Sequence, residues 1–250
     1  MTAVGGDTYL LNVEGLTVSF DGFKAIDNIS MYVDKNEIRA VIGPNGAGKT
    51  TLLDLISGKT KPTSGFVKFK DDVLTSLPEH QIVRKGVGRK FQTPSVHEAL
   101  TVLENLEMSY PAGRGWFRSW VFRRTPAVMQ RIEEVAELIY LKDRLHDLAG
   151  ELSHGQKQWL EIGSLLMQDP ELMMLDEPVA GMSVGEREQT ADLLNKLCQH
   201  RAVIVVEHDM DFVKRIAHKV TVLHQGKWLA EGSMETVQSN PKVIEVYLGH

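Results

Sequence analysis

Residues 10–33 alternate apolar and polar through Leu16-Thr17-Val18-Ser19-Phe20, break at Asp21-Gly22, and resume through Ile29-Ser30-Met31-Tyr32-Val33. A period of two is that of a half-buried strand, so two strands joined by a turn are predicted. The run Ile38-Arg39-Ala40-Val41-Ile42 reads as a further strand, and helical character from Thr51 to Ser57 stops at Gly58. Pro62 follows, then a short strand at Phe66 to Phe69. From about Ser95 to Leu160 the spacing changes. Leu100, Leu103 and Leu106, then Ile132, Val135, Leu138 and Ile139, recur at helical intervals and predict a mostly helical insert. Strand-like runs return at Leu172 to Leu175 and at Ala202 to Val206, and a hairpin from Val220 to Leu229 turns at Gln225-Gly226. Gly185 to Gln199 reads as a crossover helix, which makes this part of the core βαβ and parallel.

Composition narrows the class. With 250 residues, 42% hydrophobic and 24% charged, the chain can fill one large domain or a core domain with an inserted lobe. A net charge of -5 argues against a nucleic-acid partner held mainly by phosphate neutralisation. The single Cys198 allows no internal disulfide, and no Cys/His cluster has zinc spacing, so a reducing compartment is expected. The start MTAVGGDTYL lacks the features of a secretory signal. No apolar run approaches the roughly 18 residues of a membrane span, so membrane association is expected to go through a partner or the surface.

The candidate chemistry sits where the apolar runs end. Gly43 to Thr50, GPNGAGKT, satisfies the phosphate-loop pattern directly after a strand. Glycine-released N–H groups and a helix N-terminus can wrap a polyphosphate, with Lys49 reaching the β/γ-phosphates and Thr50 offering its hydroxyl to Mg²⁺. Leu175 leads to Asp176-Glu177 and Val206 leads to Glu207-His208. In open α/β sheets the ligand crevice lies at these carboxyl ends. Asp176 is suited to a hard cation, Glu177 to an attacking water, and His208 to the γ-phosphate. Taken singly, Asp-Glu-Pro also reads as a solvated strand end and His208 as a structural histidine. Gln92, at the passage into the helical insert, carries no signal alone. Ser153-His154-Gly155-Gln156 precedes the buried-helix pattern of 157–167 and offers either a second anion site or a simple cap. Two phosphate-binding surfaces about a hundred residues apart suggest a nucleotide sandwiched between two chains.

This motif set resembles the ATP-binding-cassette ATPases over nearly the whole chain. The resemblance implies an α/β P-loop NTPase fold with a mixed, largely parallel sheet, an N-terminal antiparallel β subdomain and an inserted helical subdomain. It implies one cassette over 1–250, with the core at 8–94 and 161–250 and the helical subdomain at 95–160. By the same resemblance Phe20 stacks on adenine. Gly43, Pro44, Asn45, Gly46, Ala47, Gly48, Lys49, Thr50 and Thr51 form the Walker A loop. Gln92 is the Q-loop residue, with Thr50 and Asp176 a Mg²⁺ contact. Ser153 to Gln156 are the signature, Glu177 the catalytic base and His208 the switch histidine. ATP and Mg²⁺ are the implied cofactors. The implied partners are a second cassette subunit, two membrane-spanning permease subunits and, indirectly, a solute-binding protein, on the cytoplasmic face of the membrane.

Finer details resemble the importer subunits of the branched-chain amino acid group: Gly88-Arg89-Lys90-Phe91-Gln92-Thr93-Pro94, Leu100 to Leu106, Pro178 to Met182 and the ending Val243 to Gly249. LSHGQKQWL at 152–160, with Ala180-Gly181-Met182 and the ending Val243 to Gly249, looks most like the urea importers of that group, which makes urea the expected solute and amino acids the alternative. Two positions depart from the family pattern: His154 replaces the second signature glycine, and Ser183 stands where the D-loop commonly has Asp. Gly113 to Arg124 interleaves four Arg with Trp116, Phe117, Trp120 and Phe122, and reads as a partly solvated segment or one near anionic lipid. A soluble ATP-dependent clamp is a second class, but its usual long coiled-coil insertion or second cassette is missing. A GTPase-type switch is a third, but Asn195-Lys196-Leu197-Cys198 lacks the guanine-pairing acid.

Overall fold

The computed structural model describes residues 9–90, 96–111 and 125–248. The alternating N-terminal pattern becomes β1 (Leu11–Phe20) and β2 (Phe23–Val33), paired antiparallel from Leu11↔Val33 to Phe20↔Phe23. Asp21 and Gly22 both take positive φ, 48° and 86°, as a two-residue hairpin turn requires. β3 (Ile38–Ile42) enters a different sheet and leads into α1 (Lys49–Ser57). β4 (Ser64–Phe69) and β5 (Asp72–Val73) return to the first, giving an antiparallel sheet of order β2-β1-β4-β5.

After α2 (Glu79–Arg84) and β6 (Val87–Lys90), the helical region supplies α3 (Val102–Ser109), α4 (Pro126–Leu138) and α5 (His154–Leu166). The chain then runs through β7 (Leu172–Asp176), α6 (Val184–Cys198), β8 (Ala202–Val206), α7 (Met210–Ile216), β9 (Lys219–His224) and β10 (Lys227–Gly232). It closes with α8 (Met234–Gln238) and α9 (Pro241–Leu248). The second sheet has the order β10-β9-β3-β8-β7-β6, parallel except for β10. β7, α6 and β8 form the expected parallel crossover unit.

Burial on both faces explains why β3, β7 and β8 are buried at every position and, Arg39 and Asp176 apart, apolar rather than alternating. On one face Leu52, Leu53, Leu55 and Ile56 of α1 pack between the antiparallel sheet and Val41, Ile204 and Val206. On the other, α5 and α6 cover Met173, Leu175, Val203 and Val205 with Leu160, Ile162, Leu193 and Leu194. Each such aliphatic side chain contributes about 1.5–3 kcal/mol by leaving water. The second cluster continues without a break into Leu103, Leu106, Ile132 and Val135, so the helical region shares the core of the sheet. The expected division at 160/161 falls inside α5, which is one uninterrupted helix.

Arg39 is the exception within the β3 run, 0% exposed yet with all three guanidinium nitrogens hydrogen-bonded. Its guanidinium donates to Glu37 (2.6 Å), Thr221 (3.0 Å), Glu231 (2.5 Å) and the Tyr32 carbonyl (2.5 Å), tying the region of β2 and β3 to β9 and β10. Among the described residues no helix is long and apolar enough to cross a membrane.

Candidate functional site

The loop 43–48 lies between β3 and α1, at the point where β3 has β8 on one side and β9 on the other. Gly48 is the N-cap of α1 with φ 101°, and no side chain caps that helix. The first-turn N–H groups are therefore left for an anion. A Cβ on Gly48 would lie 2.7 Å from the Ala25 carbonyl oxygen, so only glycine lets β2 close against the loop. The loop is pinned internally by Ala47 N–H to the Pro44 carbonyl (3.1 Å) and externally by Gly226 N–H to the Ala47 carbonyl (3.0 Å). Lys49 folds back, its Nζ donating to the carbonyls of Gly43 (2.8 Å) and Pro44 (3.1 Å). Burial lowers its pKa, and the nearby Glu177 and Asp176 oppose that shift.

Asp176 ends β7 and is 1% exposed. Neither of its carboxylate oxygens has a hydrogen-bond partner among the described residues, and Arg89 approaches only to 4.0 Å. Burial pushes this carboxyl above the usual range, while the Thr50 hydroxyl, Arg89 and Lys49 pull it back. A buried carboxylate with unsatisfied oxygens beside a hydroxyl is a donor set that fits a hard divalent cation such as Mg²⁺. Among the described residues no group of three or more His, Cys, Asp or Glu could form an all-protein cage. Mg²⁺ is commonly held by one or two protein ligands together with phosphates and water, so the sparse donor set suits it.

Glu177 follows in the left-handed region (φ 48°), its N–H bonded to the Val206 carbonyl at 2.9 Å. For a non-glycine residue that backbone costs of order 1–3 kcal/mol and is kept where the surroundings impose it. Its Oε1 stands 3.7 Å from Nδ1 of His208, which is two-thirds exposed after β8. Glu207 was not singled out in the sequence, although it carries the same signal as Asp176, an acid closing a run of buried apolar strand residues. It is buried, and its carboxylate accepts N–H bonds from Val179 (3.2 Å), His208 (3.0 Å) and Asp209 (3.4 Å). These bonds tie the segment after β7 to the segment after β8. Burial raises its pKa against the pull of those three donors.

Phe20 lies at the β1–β2 tip, 48% exposed beside the more exposed Phe23, on the hairpin whose Ala25 touches Gly48. Ser153-His154-Gly155-Gln156 opens α5, with Ser153 as N-cap in a capping box with Gln156. Its hydrogen bonds run to Glu186, Ala180 and Arg144, with none to residues 43–51 among the described residues. One chain thus brings together Lys49, Thr50, Asp176, Glu177 and His208 and leaves the second anion surface apart. Gln92 and the segment 113–124 lie outside the described residues. Asn195-Lys196-Leu197-Cys198 lies within α6 with Leu197 and Cys198 buried, which removes it as a base-reading loop.

Comparison with known proteins agrees with this geometry. Residues 26–180 match the family described as ABC transporter, and residues 229–250 match that described as Branched-chain amino acid ATP-binding cassette transporter. The chain is 36% identical over 249 residues to the high-affinity branched-chain amino acid transport ATP-binding protein BraF of Pseudomonas aeruginosa, covering 96% of this chain and 98% of that protein. LivG of Escherichia coli, of the same description, matches with the same identity and coverage. A solved nucleotide-free ATP-binding cassette from an ABC transporter superimposes with a TM-score of 0.84 at 32% identity, covering 97% of this chain and 100% of the other. The ADP conformation of MJ1267, an ATP-binding cassette of an ABC transporter, gives a TM-score of 0.84 at 32% identity, covering 97% of this chain and 99% of the other. The chain belongs to the ABC transporter family, as an ATPase subunit of the branched-chain amino acid importer type.

Proposed function

We propose that this subunit hydrolyses ATP to ADP and phosphate in a head-to-tail pair of cassettes and so drives solute import through two permease subunits. The observation that carries the reading is the convergence of Lys49, Asp176, Glu177 and His208 at the ends of β3, β7 and β8. Lys49 exchanges the Gly43 and Pro44 carbonyls for the β- and γ-phosphates, and the N–H groups of 43–51 enclose the rest of the tail. Thr50 and Asp176, with Gln92, would hold Mg²⁺, which when bound supplies charge neutralisation between the phosphates. Glu177 orients the attacking water and takes its proton, and His208 donates to the γ-phosphate. Phe20 stacks on the adenine. Ser153, His154, Gly155 and Gln156 of the partner cassette close the site from the other side.

In this reading residues 95–160 act as the helical lobe, with α5 as its joint to the core. The partner cassette is a sister chain or a second copy, a solute-binding protein delivers the solute from outside, and the subunit sits peripherally on the cytoplasmic face. The relatives named for branched-chain amino acid transport put amino acids first as the solute. Urea is the second reading, favoured by LSHGQKQWL at 152–160, Ala180-Gly181-Met182 and the ending Val243 to Gly249. Uptake of labelled leucine against labelled urea by the reconstituted transporter decides between them.

Glu177→Gln tests the mechanism. It is expected to bind ATP normally, lose about 10²–10⁴-fold in turnover as a missing general base does, and accumulate an ATP-bound dimer. Turnover at the native rate would remove Glu177 from the role.

A further inference from the structure

The two departures from the family pattern, His154 and Ser183, meet in one cluster. Ser183 caps α6, and Glu186 completes its capping box: Oε2 accepts the Ser183 N–H at 2.9 Å and the Ser183 hydroxyl at 2.8 Å. The other oxygen, Oε1, accepts the hydroxyl proton of Ser153 at 3.0 Å. The carboxylate presses so closely on the start of α5 that a Cβ on Gly155 would lie 2.4 Å from it. His154 closes the same junction, its Nε2 donating to the Ala180 carbonyl at 3.1 Å. The Ser183 N–H first, then the Ser183 and Ser153 hydroxyls and His154, hold the Glu186 carboxyl below the usual range, so it is an anion at neutral pH.

A serine hydroxyl carries one proton. Here that proton goes to Glu186, while the Ser153 oxygen accepts the Gln156 N–H at 3.2 Å. In this state Ser153 offers a phosphate oxygen only lone pairs, and two acceptors cannot bond. The carboxylate also already occupies the side of a helix N-terminus, the place where an incoming anion would be favoured.

We propose that Glu186 is a positioning residue for nucleotide capping that acts through Ser153. In the free chain it holds the serine proton away from the partner's nucleotide, and capping exchanges Glu186 for a γ-phosphate oxygen. The inference rests on reading Ser153 to Gln156 as the lid over a second cassette's ATP. A triphosphate offers the charge to win that exchange; a diphosphate, with no γ-phosphate, leaves Ser153 on Glu186. Ser183 makes the arrangement stable, since a carboxylate in place of its hydroxyl would face Glu186 with like charge.

Glu186→Gln separates the two jobs of this side chain. Glutamine serves a capping box as well as glutamate does, so α6 keeps its cap. Its amide N–H donates to the Ser153 oxygen and frees the serine proton. In a Glu177→Gln background, sedimentation is expected to show ATP-dependent dimers at about tenfold lower ATP than in the parent, the worth of one charge-assisted hydrogen bond. With Glu177 intact, KM for ATP is expected to fall by a similar factor with kcat undiminished and ADP affinity unchanged. Glu186→Ala is expected to lower the melting temperature through the lost cap and yet shift KM in the same direction. A purely structural cap predicts instead an unchanged KM in Glu186→Gln, which keeps the cap, and a raised KM in Glu186→Ala, which loses it. Dimerisation and KM that stay unchanged or worsen in Glu186→Gln while ADP binds normally overturn the proposal alone. A parent that binds ADP but never dimerises with ATP overturns the sandwich reading and the proposal with it.

Discussion

Asp176 is held at a disadvantage in the free chain. Its carboxylate is buried with neither oxygen bonded among the described residues, and its pKa is raised mainly by burial, so the protein is less stable for carrying that charge. Asp176→Asn is accordingly expected to raise the melting temperature of the nucleotide-free subunit, by about 2–4 °C for each kcal/mol recovered in a chain of this size. The same change is expected to abolish the extra thermal shift that Mg²⁺ adds to ATP over ATP with EDTA. A destabilised variant, or one that keeps the Mg²⁺ response, would contradict the assignment. Asp176, Glu177 and His208 were legible in sequence because each stands just past a run of apolar residues at a strand's carboxyl end. Glu207 carries the same signal, but its work is done on three backbone N–H groups, and the one from Val179, 28 positions away, becomes a neighbour only through the parallel pairing of β7 and β8. His154 and Ser183 could be read only as separate departures, since Glu186 joins them in space alone.

At the scale of elements, hydrophobic period carried most of the reading, and it failed where charge is buried. β6 was missed because Val87-Gly88-Arg89-Lys90 has no strand signature of its own. Its two cations are accommodated by distant partners on opposite faces, Arg89 by Asp54 of α1 at 2.5 Å and Lys90 by Glu161 of α5 at 3.0 Å. β3 was found although Arg39 sits inside it, because the other four residues dominate the pattern. The structure adds what Arg39 is for: its bonds reach Glu37, the Tyr32 carbonyl, Thr221 of β9 and Glu231 of β10. Arg39→Met leaves two carboxylates without that cation in or near the core, and breaking a buried pair from one side costs about 3–5 kcal/mol. A lowered midpoint of urea unfolding is expected. Arg39→Lys is expected to recover little of it, because a single ammonium cannot span the directions that a guanidinium fork serves. Full recovery by lysine would show that charge alone, and not the geometry of the fork, joins these strands.

For the molecule as a whole, the separation of the two anion surfaces governs how stability responds to ligands. The first surface, loop 43–48 with Asp176, is complete within one chain, whereas Ser153 to Gln156 bond elsewhere in the same chain. A ligand that needs only the first surface stabilises the fold by RT ln(1 + [L]/Kd), whatever the protein concentration. A ligand that needs both must also bring two chains together, and its stabilising effect then grows with protein concentration. In the Glu177→Gln subunit the melting temperature with ADP is therefore expected to stay constant from low to high micromolar protein, and with ATP and Mg²⁺ to climb over the same range. If both nucleotides give concentration-independent shifts, each site is complete within one chain and no second cassette contributes to it. If both climb, the chains associate through some other face, since a diphosphate offers nothing for a signature serine to hold.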